Sequence, residues 1–131
     1  MKILIADDEL IMLKIIELRL KKDGHEVIVT SNGQEALEQI KLQDPDMIIA
    51  DIMMPFTSGL EIVSVVKQDK NHRKVPIIIL SSMGQENVVL EAFKLGADDY
   101  ITKPFSPNEL SMRVKRLASS ANLHSRVEEI I

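Results

Sequence analysis

The sequence alternates five short apolar runs with five longer amphipathic stretches, and this alternation restricts the fold more than any other feature. The apolar runs occupy 2–6, 26–30, 46–50, 76–80 and 98–102. The amphipathic stretches occupy 10–22, 33–42, 59–69, 85–95 and 107–118. Four of the apolar runs are rich in Ile and Val, which is typical of strands covered on both faces. The pattern therefore predicts strands separated by helices in a parallel sheet.

Signals for helix ends flank the amphipathic stretches. Three serines precede Gln or Glu by three residues, as in a capping box: Ser31, Ser58 and Ser106. The second apolar run ends in Thr30-Ser31, and we assign this pair to a helix cap. Gly24 and Gly96 stand where glycine commonly ends a helix. These signals support the helix boundaries given by the periodicity.

Strict alternation predicts an α/β fold with right-handed crossovers and helices on both faces of the sheet. A chain of 131 residues is one domain of ordinary size. Five strands fit the flavodoxin-like order 2-1-3-4-5, which makes strands 1 and 3 neighbours. Ligands bind such sheets at the carboxyl ends of the strands, where the strand order reverses.

Composition narrows the function classes. The chain contains no cysteine, so it has neither disulfides nor thiolate chemistry, which fits a cytoplasmic location. Its net charge of −4 gives no electrostatic reason to expect nucleic acid binding. Its apolar runs are far shorter than the roughly 20 residues of a membrane-spanning helix. The three histidines, which show no metal-ligand spacing, are interpreted as surface residues: His25, His72 and His124.

Carboxylates follow two apolar runs that the predicted order makes neighbours. Asp7 and Asp8 follow the first run, and Asp51 follows the third. Two carboxylates about 4 Å apart repel by roughly 4 kcal/mol at an effective dielectric of about 20. A hard divalent cation with oxygen ligands, Mg²⁺ above all, would relieve that repulsion. Taken alone, an Asp at a strand end is as readily a helix cap or a turn residue.

Polar residues also follow the last two runs. Ser81 and Ser82 follow the fourth run, and Lys103-Pro104 follows the fifth. Taken alone, the serines would be caps and the Lys-Pro pair a turn. At the same sheet edge as the acids, they indicate a site for a phosphoryl group, because Mg²⁺ prefers a few carboxylates together with a phosphate.

Four segments carry a resemblance to a known family: ADDE at 6–9, DIMMPFTSG at 51–59, ILSS at 79–82 and GADDYITKPF at 96–105. Together they resemble the receiver domain of response regulators, the phosphoacceptor module of two-component signalling in the CheY-like superfamily. The resemblance covers residues 2–118. It implies a signalling domain and not an enzyme, since such a domain promotes only its own phosphorylation and dephosphorylation.

The resemblance implies roles for the acids. Asp51 is implied to be the phosphorylated nucleophile, and a carboxylate can form such an aspartyl phosphate. Asp8 and Asp51 are implied to bind Mg²⁺ directly, while Asp7 acts chiefly through metal-bound water. The backbone carbonyl of Met53 is implied to be a further ligand.

The resemblance also implies roles for residues of the last two strands. Lys103 and Ser81 are implied to contact phosphoryl oxygens, and the bond before Pro104 is implied to be cis. The resemblance also implies that, on phosphorylation, Ser81 moves toward the phosphoryl group and Tyr100 swings inward; alternatively, Tyr100 is only a half-buried strand aromatic. The implied phosphoryl donor is a sensor histidine kinase or a histidine phosphotransfer protein, with neither nucleic acid nor membrane as a partner of this chain.

The segment 96–110 is similar to OmpR/PhoB-type receivers, which dimerise through the fourth helix, fifth strand and fifth helix and control an attached DNA-binding domain. This similarity gives a candidate phosphorylation-dependent dimer face, made of Phe93, Asp99, Glu109 and Arg113. Asp99 and Arg113 would pair across a two-fold axis; the alternative is a solvated surface pair. One departure is that Val88 and Val89 stand where a basic partner for Glu109 is expected.

The last residues repeat apolar side chains at helical spacing: Leu123, Val127, Ile130 and Ile131. We therefore divide the chain into a receiver domain at 1–119 and a helical extension at 120–131. The extension either begins a linker to an absent output domain or frays as a tail.

Other classes share parts of this pattern. A flavodoxin would need a hydroxyl-rich phosphate loop after the first strand, and a dinucleotide-binding dehydrogenase would need a glycine-rich turn there. A magnesium-dependent aspartyl-phosphate phosphatase would use the same types of residue. That class resembles this chain less closely, because it has a D-x-D motif at the end of its first strand and usually carries a cap domain, whereas Asp7 and Asp8 are adjacent here. A stand-alone regulator or phosphorelay shuttle is the nearer alternative to a receiver that controls an output domain.

Overall fold

The computed structural model describes the backbone of residues 1–82 and 84–130, and the side chains as far as residue 120. Five strands alternate with five helices, as predicted. The strands are β1 (Lys2–Ala6), β2 (Glu26–Thr30), β3 (Met47–Asp51), β4 (Ile77–Ser82) and β5 (Asp99–Lys103). The helices are α1 (Leu10–Lys22), α2 (Gly33–Gln43), α3 (Gly59–Gln68), α4 (Glu86–Leu95) and α5 (Pro107–Ile130).

The strands form one parallel sheet in the order β2-β1-β3-β4-β5, which confirms the predicted topology. Ala6 lies opposite Ala50, and Asp51 lies opposite Leu80. The strand order reverses between β1 and β3, so the residues that follow these two strands share one crevice.

Helices cover both faces of the sheet, and each face has its own apolar core. On one face Leu4, Ile48 and Ile79 pack against α2, α3 and α4. On the other face Ile5 and Ile49 pack against α1 and α5. The central strand β3 is buried along its whole length, which explains why its sequence is apolar on both faces up to Asp51.

Strand ends differ by one or two residues from the predicted runs. β3 and β5 each begin and end one residue later than predicted, and β4 extends to Ser82. Ser81 and Ser82 therefore belong to β4 and do not follow it. Apolar periodicity missed these positions because a polar residue can still pair its backbone with a neighbouring strand, as Ser82 does with Lys103.

One predicted helix cap was assigned to the wrong residues. The side chain of Asn32, not that of Ser31, accepts the Glu35 N–H at the start of α2. The Thr30 hydroxyl instead donates to the Ile5 carbonyl across the β1–β2 pair and is buried. The caps predicted at Ser58 and Ser106 are confirmed, since each hydroxyl accepts the N–H three residues ahead.

His72 was wrongly interpreted as a surface residue, because its side chain is only 6% exposed. Its Nδ1 lies 2.8 Å from Asp69 Oδ2, and its Nε2 lies 2.7 Å from Asp44 Oδ1. Asp44 and Asp69 are the residues that end α2 and α3. A carboxylate at each ring nitrogen favours the doubly protonated imidazolium. The hydrogen bond that the ring donates to Asp69, helped by the one it donates to Asp44, raises the pKa of His72 despite its burial.

We expect His72→Gln to destabilise the fold by about 1–3 kcal/mol near pH 6, because charge-assisted hydrogen bonds are lost. The raised pKa means that this contribution is complete below the unfolded-state pKa and is lost as pH rises through the folded-state value. Urea unfolding from pH 6 to 9 should therefore show the gap between the two proteins closing. His25→Gln is the control. Burial lowers the pKa of His25, so the difference in unfolding free energy between this variant and wild type should change with pH in the opposite direction. A gap for His72→Gln that does not change with pH would contradict the charged state of His72.

α5 continues to Ile130, beyond the predicted end at 118. The side chains from 121 onward, including those of Leu123, Val127 and Ile130, lie outside the described residues, as does Ile131. The division into 1–119 and 120–131 thus stays a prediction. Among the described residues, no helix has the length and apolar character needed to cross a membrane.

Candidate functional site

Three carboxylates meet at the carboxyl edge of the sheet. Asp7 follows β1 directly and is fully buried, Asp51 ends β3 and is 7% exposed, and Asp8 faces solvent. One oxygen from each lies within 4.8 Å of the others. The acids that the sequence assigned to one crevice are therefore in one place.

Lys103, at the end of β5, reaches into this acidic cluster. Its Nζ lies 2.8 Å from Asp7 Oδ2, 3.1 Å from Glu9 Oε1 and 3.2 Å from Asp51 Oδ2. Burial alone would lower the pKa of Lys103, but the hydrogen bond to Asp7 and the charges of Asp51 and Asp7 raise it overall. The lysine is therefore charged at neutral pH.

The surroundings of Asp51 disfavour its ionised form. Burial, reinforced by the charge of Asp7, raises its pKa to about 6, although Lys103 and the Met53 N–H act in the opposite direction. Above that pH, Asp51 is an ionised carboxylate in a partly desolvated and electronegative crevice. Such a group gains from any further positive charge brought to it.

The site has the chemistry of a site for a hard dication. Carboxylate oxygens from three residues converge, and burial together with the charge of Asp7 raises the pKa of Asp51 despite the nearby ammonium of Lys103. Mg²⁺ is bound in proteins by one or two carboxylates together with water and phosphate oxygens. The residues present fit such an ion.

The backbone of Asp51 is fixed by a close approach of α3. The Gly59 N–H donates to the Ile52 carbonyl at 3.1 Å. A Cβ at Gly59 would lie 2.5 Å from the Asp51 carbonyl oxygen and 2.8 Å from Ile52 Cα. A glycine is therefore required here, and it lets α3 begin against the main chain of the acidic residue.

Asp7 is fixed by its neighbours in the chain. Its Oδ1 accepts the Glu9 N–H at 2.9 Å, and its own N–H donates to the Thr30 carbonyl at 3.3 Å. Glu9 was not among the predicted site residues, although its side chain also contacts Lys103. The signal was present as a third acid directly after Asp8, but an exposed Glu at a helix start is commonly only a favourable charge at the helix N-terminus.

The other predicted site residues lie around the same crevice. Ser81 is buried in β4, one residue beyond the partner of Asp51 in the strand pair. The Met53 N–H donates to Asp51 Oδ1 at 3.2 Å, and the Met53 side chain is exposed. The peptide bond between Lys103 and Pro104 is cis.

The candidate dimer face lies to one side of this crevice. Tyr100 is 41% exposed, and its ring meets that of Phe93 edge to face, with centroids 5.8 Å apart. Asp99 is 8% exposed and pairs at 2.9 Å with Arg113 and also with Arg116, which was not predicted. Within the described chain Asp99 and Arg113 thus form an internal pair that is largely buried on the Asp99 side, and their pairing across a two-fold stays a prediction.

The fold and site together define a doubly wound α/β protein with a cluster of three carboxylates at the reversal of strand order. A family model described as the response regulator receiver domain matches residues 3–115. The chain belongs to this family, whose members are signalling domains of two-component response regulators.

Curated relatives agree with this family. The chain is 36% identical over 129 residues to the alkaline phosphatase synthesis transcriptional regulatory protein PhoP of Bacillus subtilis, covering 98% of this chain and 53% of the relative. It is 42% identical over 113 residues to the phosphate regulon transcriptional regulatory protein PhoB of Pseudomonas aeruginosa, covering 86% of this chain and 49% of the relative. The chain spans about half the length of these relatives.

A solved structure agrees as well. The chemotaxis response regulator CheY4 of Vibrio cholerae is similar with a TM-score of 0.83 and 30% identity, over 88% of this chain and 96% of that chain. The predicted fold class and the predicted family are confirmed.

Proposed function

We propose that Asp51 accepts a phosphoryl group from the phosphohistidine of a sensor histidine kinase or histidine phosphotransfer protein. The observation that carries this proposal is the single contact network of Lys103, which joins the carboxylates of Asp7, Glu9 and Asp51 at the strand-order reversal. A carboxylate oxygen of Asp51 forms the new bond to phosphorus. The phosphorus–nitrogen bond breaks, and the imidazole leaves with its electron pair.

The proposed roles follow from the position of each group. Asp51 is ionised above a pH of about 6, so at neutral pH it is available as a nucleophile. Lys103 already lies 3.2 Å from an Asp51 oxygen, and its ammonium can neutralise a phosphoryl oxygen at the same place. Ser81, which is buried beside the end of β3, supplies a hydroxyl for a further phosphoryl oxygen after transfer.

Asp8 and Asp51, with the Met53 carbonyl, would hold Mg²⁺, and Asp7 would act through a water on the ion. When bound, the ion supplies positive charge for the oxygens of the transferred group. The spacing of the three carboxylates supports this proposal. The ammonium of Lys103 would neutralise the remaining negative charge of the transferred group.

The test is incubation with a small phosphodonor such as acetyl phosphate and Mg²⁺, followed by intact mass. We expect the addition of one phosphoryl group per chain, and its loss when a chelator replaces Mg²⁺. Labelling at several positions, or labelling independent of the metal, would count against the proposal.

The partner and setting belong to the same proposal. A phosphohistidine donor made with ATP is a cytoplasmic species, so we place this domain in the cytoplasm. Because the chain is similar to one half of transcriptional regulators, we propose that 120–131 leads to an output domain that the phosphorylated receiver controls.

We also propose that Tyr100 is the switch and that the face of Phe93, Asp99, Glu109 and Arg113 mediates dimerisation. The exposed edge-to-face pair of Phe93 and Tyr100 supports this, because inward movement of Tyr100 would change the surface beside Phe93.

We expect Tyr100→Ala to accept a phosphoryl group on Asp51 normally but to remain monomeric when bound to a phosphoryl mimic. Sedimentation with and without beryllium fluoride and Mg²⁺ measures this, with wild type expected to double in mass. Tyr100→Phe keeps the ring and serves as the matched control. Loss of phosphorylation in Tyr100→Ala would refute its role as a switch, and an unchanged mass of wild type would refute the dimer.

A further inference from the structure

The ammonium group of Lys103 has an acceptor for each of its N–H bonds. Its Nζ contacts one carboxylate oxygen each of Asp7, Glu9 and Asp51, at 2.8, 3.1 and 3.2 Å. A lysine ammonium offers three donors and no more. Because all of them are engaged, a phosphoryl oxygen can bond to Lys103 only if one of these carboxylates gives up its place.

The three carboxylates differ in how readily they can leave. The side chain of Asp7 is fully buried, whereas that of Glu9 is 61% exposed. A buried carboxylate that loses its cation leaves an unpaired charge in the interior, which is strongly unfavourable. An exposed carboxylate is solvated by water instead, so the loss of its ion pair costs little. Asp51 is itself the proposed nucleophile and stays beside the incoming group, so Glu9 is the partner that can be displaced.

The side chain of Glu9 is directed to Lys103 and not to its own helix. Glu9 is the N-cap residue of α1, but its side chain makes no capping hydrogen bond, and the first turn of α1 contains no acidic residue. A carboxylate at a helix N-terminus would be stabilised there by the helix dipole. The Glu9 N–H donates to Asp7 Oδ1 at 2.9 Å, which fixes the point from which the side chain starts. The contact with Lys103 therefore takes the place of a favourable local one.

We propose that Glu9 restrains phosphorylation, because it occupies the Lys103 donor that a phosphoryl oxygen later takes. This inference rests on the proposed function of Asp51. As the phosphoryl group arrives, the contact between Lys103 and Glu9 breaks and the Glu9 carboxylate turns to solvent, while the contact with Asp7 is kept. The charge of Glu9 also repels the incoming group, which carries about −1.5 to −2 charges once transferred. Glu9 acts through Lys103 and is therefore a positioning residue.

The test compares wild type with Glu9→Gln and the matched control Glu61→Gln. Glutamine keeps the length of the side chain and removes its charge. Glu61 is exposed in the first turn of α3, which also begins at the carboxyl edge of the sheet, and it is not among the carboxylates that contact Lys103 in the described part of the chain. The control thus removes the same charge from the same edge. Saturating Mg²⁺ prevents a change in metal affinity from entering the result.

The affinity for beryllium fluoride and the rate of mass gain from acetyl phosphate are both expected to rise about two- to five-fold in Glu9→Gln. Most of this gain should remain at about 1 M KCl, where the Debye length is about 3 Å, because competition for a hydrogen-bond donor acts at contact distance. Any gain in Glu61→Gln should disappear at that salt concentration, because it comes from repulsion over a longer distance.

A second measurement follows the contact itself by NMR at neutral pH. In metal-free protein, the ammonium signal of Lys103 should differ between wild type and Glu9→Gln and should be the same in wild type and Glu61→Gln. When beryllium fluoride and Mg²⁺ are added to wild type, the side-chain carboxylate carbon of Glu9 should shift and that of Glu61 should not. This readout reports the release of Glu9 without depending on the rate of phosphorylation.

An affinity of Glu9→Gln for beryllium fluoride at about 1 M KCl that equals or falls below that of wild type would overturn the restraint and leave the proposed function intact. A Glu9 carboxylate signal that does not change when wild type binds the mimic would do the same. If wild type neither gains a phosphoryl group nor binds the mimic, the proposed function fails, and the restraint fails with it.

Discussion

Asp51→Asn is expected to take up no phosphoryl group from acetyl phosphate and Mg²⁺, while wild type takes up one. The amide keeps the shape of the side chain but cannot form an acyl phosphate. Intact mass measures the difference directly. Because burial raises the pKa of Asp51 to about 6, its ionised form weakens the fold above that pH. The variant should therefore be more stable than wild type in metal-free buffer at pH 8, by about 1–3 kcal/mol.

Asp46→Asn is the matched control for this experiment. Asp46 precedes β3 at the opposite edge of the sheet and accepts the Lys2 N–H, which an amide oxygen can also accept. It should be phosphorylated like wild type. A phosphoryl group retained in Asp51→Asn would mean that another side chain is the acceptor, and equal stability of that variant and wild type would mean that the crevice does not strain Asp51.

Gly59→Ala is expected to destabilise the fold at the main chain of Asp51. Its Cβ would lie 2.5 Å from the Asp51 carbonyl oxygen, and the atoms it meets are backbone. Insertion into a packed site of this kind costs about 1–3 kcal/mol and sometimes more. Since the displaced atoms include the main chain of Asp51, the proposed nucleophile, phosphorylation should also slow at temperatures where the variant is folded. Urea unfolding and the rate of mass gain measure the two effects.

Gly24→Ala separates backbone conformation from steric overlap. Gly24 has a φ of 95° and nothing within 4 Å of an added Cβ. It should cost about 1 kcal/mol through the backbone alone and leave the rate of phosphorylation unchanged. If Gly59→Ala were as mild as Gly24→Ala, the close approach of α3 to β3 would not be a constraint on Asp51.

The fold was predictable because one simple rule governs most of it. Strands buried on both faces must be apolar, and β1, β3 and β4 are. Alternation with helices then requires a parallel sheet with right-handed crossovers, and few strand orders remain. The acids were predictable for the same reason, since the strand order alone brings the residues after β1 and β3 to one edge.

What could not be predicted depends on contacts between distant side chains. His72 lies in a polar segment whose composition indicates a solvated loop, yet carboxylates at the ends of α2 and α3 surround it. Arg116 was missed because its partner Asp99 is seventeen positions away and faces it only once α5 is packed. Neither contact has a periodic signal in the sequence.

The position of Ser82 shows a subtler limit. Apolar periodicity ends β4 at Leu80, whereas backbone pairing continues to Ser82 opposite Lys103. Hydrophobicity reports which side chains are buried, but not how far a ladder of backbone hydrogen bonds extends. Ser81, to which the proposed function gives a role, is one of the residues beyond the apolar run.

The absence of a side chain at Gly59 has a consequence for how a signal leaves this domain. Because the start of α3 packs directly against the main chain of Asp51 and Ile52, that end of the central strand has little room to move toward α3. Under the proposed function, we therefore expect a rearrangement provoked by new charge at Asp51 to occur on the opposite flank, in β4, β5 and the helix between them. If Asp51 is phosphorylated as proposed, the contact of α3 with the main chain of Asp51 and Ile52 would determine which side of the crevice moves.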